Sequence, residues 1–214
     1  MPHQPRLLLS HSCYHVMTRG NNRKKVFINT QDYQYFYGLL MRFKINHPFD
    51  LYHYCLMPNH IHLLARTSKA SDFSNFMKKL NLAYCHYYKQ HYGWIGHFWQ
   101  GRYKSQPVGK DEYFVQAGKY IELNPIRAKL VKDIKEYPYS SYNYYATGEN
   151  DPLITEDFFY QDLGKNKKER QQNYQDLVIS DIIEISYNKP QWGSESQRHN
   201  EYNKIKYNLG KTKI

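Results

Sequence analysis

Two short stretches of this chain hold residue types that could do chemistry together. The first is His60-Ile61-His62. Side chains alternate along a β-strand, so positions i and i+2 share a face. Two imidazoles set side by side can grip one cation. The same pattern also serves an ordinary pair of hydrogen-bonding histidines, and spacing alone leaves both readings open. The second stretch is Tyr120-Ile121-Glu122-Leu123-Asn124. Positions i and i+4 lie on one helix face, so a phenol and a carboxamide point the same way. The chain has 23 tyrosines, most of which must serve packing or surface roles, so this pair gains meaning only beside the histidines.

The elements that must position these residues follow from periodicity. Residues 11–19 read as a strand, broken by Gly20-Asn21-Asn22. Residues 30–46 read as a helix capped by Thr30, with Tyr33, Phe36, Tyr37, Leu40 and Phe43 at helical spacing. Residues 51–57 and 60–67 form a hairpin across Pro58-Asn59. A second helix runs over residues 71–90 and a fourth strand over 97–108. A helix over 111–123 is stopped by Pro125. Strand, helix, strand, strand, helix, strand is the ferredoxin-like order, an α+β fold with an antiparallel sheet and helices on one face. The helix carrying Tyr120 is then an addition. Residues 152–163 keep enough apolar side chains to pack on this unit. Residues 165–172 are nearly all polar, 176–185 are apolar, and 187–214 read as a loosely ordered basic tail. The expected division is a domain over 1–163 and a polar, basic, partly ordered extension over 164–214.

Composition points to a polyanionic partner. The 214 residues carry a formal charge of +11, and the aromatic fraction is high, with 23 Tyr, 10 Phe and 3 Trp. Basic surface attracts phosphate, and flat aromatic faces accept unpaired bases. Cys13, Cys55 and Cys85 form no CxxC pair and are odd in number, which excludes a disulfide scaffold and a four-thiolate zinc site. The apolar run at the start is too short for a signal peptide, and no segment approaches the roughly 18 apolar residues of a membrane span. A cytoplasmic protein with no membrane partner is expected.

Several blocks then fall in order: His15-Val16-Met17-Thr18-Arg19-Gly20-Asn21, Cys55-Leu56-Met57-Pro58-Asn59-His60-Ile61-His62-Leu63-Leu64, Phe98-Trp99-Gln100-Gly101-Arg102-Tyr103-Lys104, Tyr120 through Val131, and Tyr139-Ser140-Ser141-Tyr142. From about residue 10 to about residue 163 the chain resembles the single-tyrosine HUH transposases, specifically the REP-associated tyrosine transposases. The resemblance implies that His60 and His62 are metal ligands, that Tyr120 is the nucleophile, and that Asn124 completes the metal site. It implies Mg²⁺ or Mn²⁺ as the cofactor. Its expected substrates are single-stranded DNA hairpins of REP-like palindromes, with the protein acting as a monomer or homodimer.

The chemistry suits those roles. Phenols hold their proton at neutral pH and need help to attack phosphorus. A divalent cation supplies it by neutralising a phosphate oxygen and the departing 3′-oxygen. A 5′-phosphotyrosine keeps the ester energy, so rejoining needs no ATP, and the chain has no G-x-x-x-x-G-K-[ST] phosphate loop. Ligand type does not select Mg²⁺, since Zn²⁺ favours two imidazoles more strongly. Arg19, Asn21, Arg23, Arg102, Lys104 and Arg127 are the candidate DNA contacts, Arg102 foremost, whereas Lys24 and Lys129 read as solvated charges. Two alternatives fit parts of the pattern. A non-catalytic single-stranded nucleic-acid-binding module would explain charge and aromatics but not the His-Tyr set. A water-using phosphodiesterase would need the histidines but not Tyr120.

Overall fold

The computed structural model describes residues 8–109 and 112–187. The first seven residues, Asp111 and the expected tail from residue 188 onward lie outside the described residues. Four strands, β1 (Cys13–Arg19), β2 (Phe49–Met57), β3 (His60–Thr67) and β4 (Lys104–Val108), form one antiparallel sheet in the order β2-β3-β1-β4. Helices α1 (Thr30–Asn46) and α2 (Ala70–Tyr92) pack on one face of it, as the ferredoxin-like order predicts.

Alternation along each strand gives the two faces different tasks. Tyr14, Val16, Tyr54, Leu56, Ile61 and Leu63 join the apolar sides of α1 and α2 in the main core. Cys13, Cys55, Met57 and Leu64 point the other way and are covered by α3 (Glu112–Glu122) through Phe114, Ala117 and Ile121. His60 and His62 share this second face, so the helix bearing Tyr120 lies across the sheet from the two other main helices.

Several expected boundaries move. The cap of α1 is Asn29, not Thr30: its side chain accepts from the Asp32 N–H while the Asp32 carboxylate accepts from the Asn29 N–H. The fourth strand begins only at Lys104. Before it, Gly96 and Gly101 hold φ of 95° and 91°, which interrupts extended backbone, and Trp99 touches the sheet only through a bridge to Gly20. Arg102 therefore sits in a bend, not on a strand alternating with Tyr103 and Lys104.

The short α4 (Asn124–Arg127) and α5 (Tyr142–Thr147) follow α3. The polar and apolar stretches after residue 165 form one helix, α6 (Lys167–Tyr187), which buries Tyr174 and Val178 against Leu123, Tyr142 and Tyr145. No disulfide joins the cysteines, and no described helix is long and apolar enough to cross a membrane.

Many tyrosines prove structural. Tyr14, Tyr52, Tyr84, Tyr142 and Tyr145 are fully buried. A buried phenol must place its hydroxyl, and here backbone carbonyls take it: Tyr84 donates to Val26, Tyr137 to Leu56, Tyr145 to Tyr52 and Tyr160 to Tyr145.

Asp32 collects such bonds. It is wholly buried and accepts from the Ile28 N–H at 2.7 Å and from the Tyr87 and Tyr92 hydroxyls at 2.9 Å each, joining the start of α1 to the end of α2. Asp32→Ala removes the capping box and orphans these donors. We expect a loss of about 2–4 kcal/mol, read as a lower urea midpoint with an unchanged m-value.

Candidate active site

The site forms where the β2–β3 turn meets the end of α3. Pairing of β1 with β3 sets Arg19 opposite His60, Met17 opposite His62 and His15 opposite Leu64. All six share the α3 face. The His60 and His62 rings lie 4.8 Å apart between centroids, and His15 lies 5.0 Å from His62. The Tyr120 ring stands edge-on to this row, 6.0 Å from both His15 and His62. Asn124 follows one helical turn later, its amide Nδ2 donating to the carbonyls of Tyr120 at 2.8 Å and Ile121 at 3.1 Å. The Arg127 guanidinium covers the Tyr120 ring at 4.5 Å from its centroid, and its Nη1 donates to the Tyr120 carbonyl at 3.3 Å.

The hydrogen bonds fix which ring nitrogens remain for other work. His60 Nδ1 meets Asn59 Oδ1 at 2.5 Å. An amide oxygen only accepts, so Nδ1 carries the proton and Nε2 keeps its lone pair. His62 Nδ1 is engaged with His15 Nε2 at 2.8 Å, and in the tautomer where His62 donates and His15 accepts, His62 Nε2 keeps its lone pair. Asn124 has spent its NH₂ on backbone carbonyls, which leaves Oδ1. Burial pushes His60 and His15 down to about 4 and holds His62 well below its ordinary value, with the Arg19 charge adding to the effect on His60 and His62. All three imidazoles are thus neutral at physiological pH, the form that binds a cation.

Among the described residues, no group of three His, Cys, Asp or Glu side chains is placed to hold a metal. The groups here that could hold one are the imidazoles of His60 and His62 and the carboxamide oxygen of Asn124. Outer partners that orient ligand rings are the usual companions of such sites, and Asn59 and His15 supply them. Sequence reading missed both, although each stood inside a quoted block. The available signal for His15 was its alternation with Met17 and Arg19 on a strand that had to neighbour His60 and His62.

The candidate DNA contacts divide. Arg19 and Arg127 reach the site half-buried, and Arg19 Nε is buried with no hydrogen-bond partner. Asn21 and Arg23 sit in the turn after β1, where the Arg23 carbonyl accepts from Asn59 Nδ2 at 3.3 Å. Arg102 is exposed in the bend before β4, and Lys104, exposed at the first residue of β4, pairs with Met17 and so shares the face of the histidines. Lys24 is not the solvated charge expected: its Nζ lies over the rings of Trp94, Tyr88 and Phe98, and burial lowers it to about 8.

Residues 9–124, more than half of the chain, match the family described as "Transposase IS200 like". The chain belongs to that family. Among curated relatives, this IS200-like transposase is 22% identical over 123 residues to the REP-associated tyrosine transposase of Escherichia coli K12, a match covering 57% of this chain and 71% of that one. It is 28% identical over 109 residues to a Haemophilus influenzae protein named as a candidate of the same kind, covering 46% and 61%. Its fold is that of a solved REP-associated tyrosine transposase bound to a REP hairpin, with a TM-score of 0.60 at 19% identity, over 73% of this chain and 92% of that one.

Behind the site, the opposite side of α3 is anchored by a buried charge cluster that sequence reading also missed. His53 on β2 places Nδ1 2.9 Å from Glu122 Oε1 and Nε2 3.1 Å from Asp157 Oδ2. Only an imidazolium can donate from both nitrogens. Glu122, wholly buried, also accepts from the Ser141 hydroxyl at 2.5 Å and the Tyr174 hydroxyl of α6 at 2.6 Å. Gly118 lets the helix come this close, since a Cβ there would lie 2.8 Å from His53 Nε2. Burial alone would lower His53, but the bonds and charges of the two carboxylates outweigh it and raise the group from 6.5 to about 9. A raised folded value stabilises fully below the unfolded one and is lost as pH rises through the folded one. Unfolding free energy should therefore fall between about pH 6.5 and about 9. In Glu122→Gln this slope should flatten, with about 3–5 kcal/mol lost at pH 6, checked by urea unfolding across a pH series.

Proposed function

We propose that this IS200-like transposase cleaves and rejoins single-stranded DNA beside a hairpin through a covalent 5′-phosphotyrosine on Tyr120. The observation that carries the reading is the placement of Tyr120, and of Asn124 one turn after it, against His60 and His62, drawn from a strand and the α3–α4 segment far apart in sequence, with His15 and Asn59 bonded to the two rings. Such a set has no purpose in a module that only binds.

The Tyr120 oxygen attacks the scissile phosphorus. The new O–P bond replaces the bond to the 3′-oxygen, which leaves as a 3′-hydroxyl after taking a proton. The phenolic proton leaves with attack, and Arg127 above the ring stabilises the negative charge that develops on the oxygen. Arg19, cross-strand from His60, has a buried Nε–H available for a phosphate oxygen. His60 and His62, with Asn124 Oδ1, would hold Mg²⁺ or Mn²⁺, and such an ion supplies charge neutralisation at the phosphate. Attack by a 3′-hydroxyl on the phosphotyrosine reverses the step and rejoins a strand, so the phosphoester is exchanged without ATP. A hairpin substrate is favoured by the relatives: the solved neighbour is described as bound to a REP hairpin. The exposed Arg102 and Lys104, and Arg23 and Asn21 beside the turn, extend basic and polar surface for the strand.

The test is denaturing electrophoresis of the full chain with labelled single-stranded hairpin DNA and Mn²⁺. A labelled band that survives SDS is expected for the wild type, and it should vanish in Tyr120→Phe or with chelator. Asn59→Ala, which frees the His60 ring, should slow adduct formation by roughly 10- to 100-fold, and His62→Ala by more. Cleavage that persists in Tyr120→Phe would assign the chemistry to water instead.

A further inference from the structure

A second surface lies around the end of the sheet from the histidines. Helix α2 is capped by Gly93, and residues 93–97 form an exposed loop before Phe98 returns to the core. Gly93 and Gly96 hold φ of 61° and 95°, which L side chains rarely adopt, so the chain bends sharply at both. The bends present Trp94 and Ile95, which are 37% and 90% exposed. A single exposed apolar side chain needs no explanation. Two in succession, on a loop tied to the candidate site, call for one.

The tie runs through the backbone. The Asn21 N–H donates to the Phe98 carbonyl and the Gln100 N–H to the Arg19 carbonyl, both at 2.8 Å. Gly20 bridges to Trp99 and donates to the Asn59 carbonyl at 2.9 Å. Arg19 pairs with His60 across the strands, and Asn59 holds the His60 ring. The loop therefore leaves the sheet at the end where the histidines lie. Trp94 is also held in place. Lys24 Nζ lies 2.9 Å from its ring centroid and faces Tyr88 and Phe98 at 4.3 and 4.7 Å. That nitrogen is buried with no hydrogen-bond partner among the described residues, so the rings are what hold it. The cation covers one face of the indole and leaves the other to solvent.

The surroundings carry one sign. Residues 12–31 and 73–110 contain no Asp or Glu, and Arg23 and Lys25 are exposed beside Lys24. A flat aromatic face bordered by cations suits a base whose phosphates run alongside. An anionic membrane would meet the same charge, but continuity with the candidate active site favours a strand. We propose that Trp94, with Ile95 beside it, is a stacking platform for an unpaired base of the strand held at that site, and that Lys24 is its positioning residue. This rests on the DNA-strand reading above and adds where a base outside the reacting phosphate is held. Every base has a π-face, so the platform adds affinity without sequence preference.

Binding of a labelled single-stranded hairpin with unpaired flanks is measured by anisotropy on the full chain, with chelator present so that no strand is cut. Trp94→Leu should weaken binding about 5- to 100-fold, the worth of one stacked base. The slope of log Kd against log salt should stay as in the wild type, because stacking releases no counterions. Trp94 lies outside the cores, so the thermal midpoint should hold. Trp94→Phe keeps a stacking face and should recover most of the affinity. An abasic residue placed at each unpaired position in turn should weaken the wild type at one position and leave Trp94→Leu indifferent there. Unchanged affinity in Trp94→Leu overturns the proposal, as does a loss to which no abasic position couples. Unchanged DNA affinity with lost sedimentation on anionic phospholipid vesicles also overturns it and gives the surface to a membrane. Trp94-dependent binding without a covalent adduct in Mn²⁺ supports the platform and counts against the strand-transfer reading alone. No strand binding by the wild type overturns both.

Discussion

The close approach of α3 to the sheet is the constraint on which the site depends. Tyr120 can face the histidines only if its helix lies against the strand edge at a fixed height and rotation. Gly118 removes the side chain that would hold the two apart, and Glu122 two residues after Tyr120 reaches the charged His53 beneath. A carboxylate buried without compensation would be ruinous. Here the imidazolium, a serine hydroxyl and a tyrosine hydroxyl satisfy it, so the burial fixes orientation at little net cost. The helix thus has a charged anchor on one side and the catalytic candidates on the other.

The same anchor draws in parts of the chain far from the nucleophile in sequence. Asp157 bonds the far side of His53, and Tyr174 of α6 bonds Glu122. The helix after residue 165 is therefore structurally continuous with α3, even though the family match ends at residue 124. On the site face, Asn59 links the His60 ring to the turn after β1, and His15 links the His62 ring to β1 itself. Ring orientation in the site is accordingly a property of two strands and two turns and not of the His-x-His motif alone.

The abundance of tyrosine has a physical explanation that composition could not supply. A basic chain rich in aromatics suggests stacking surfaces, yet the largest group of these rings fills cores, with hydroxyls bonded to backbone carbonyls or to Asp32 and Asp151. Tyrosine here gives the bulk of phenylalanine together with a fixed direction. The exposed basic residues remain available to a polyanion, but they are spread along the turn after β1 and the start of β4.

Local pattern determined a good deal. The period of two in residues 60–67 and the helical spacing of Tyr33, Phe36 and Leu40 placed strands and helices on the correct faces. The i, i+2 histidines and the i, i+4 Tyr–Asn pair follow from backbone geometry, which any short segment carries within itself. Tertiary structure decided what depends on partners distant in sequence. His53, Glu122 and Asp157 look like unrelated polar residues until β2, α3 and the segment after residue 152 converge. His15 and Asn59 acquire their roles only through strand pairing and the hairpin turn. The interruption at Gly101 and the shift of the α1 cap to Asn29 depended on backbone torsions and on the Asp32 carboxylate finding α2. Hydrogen bonds and charge pairs between remote segments leave no periodic trace in a sequence, because their geometry exists only once the chain has closed on itself.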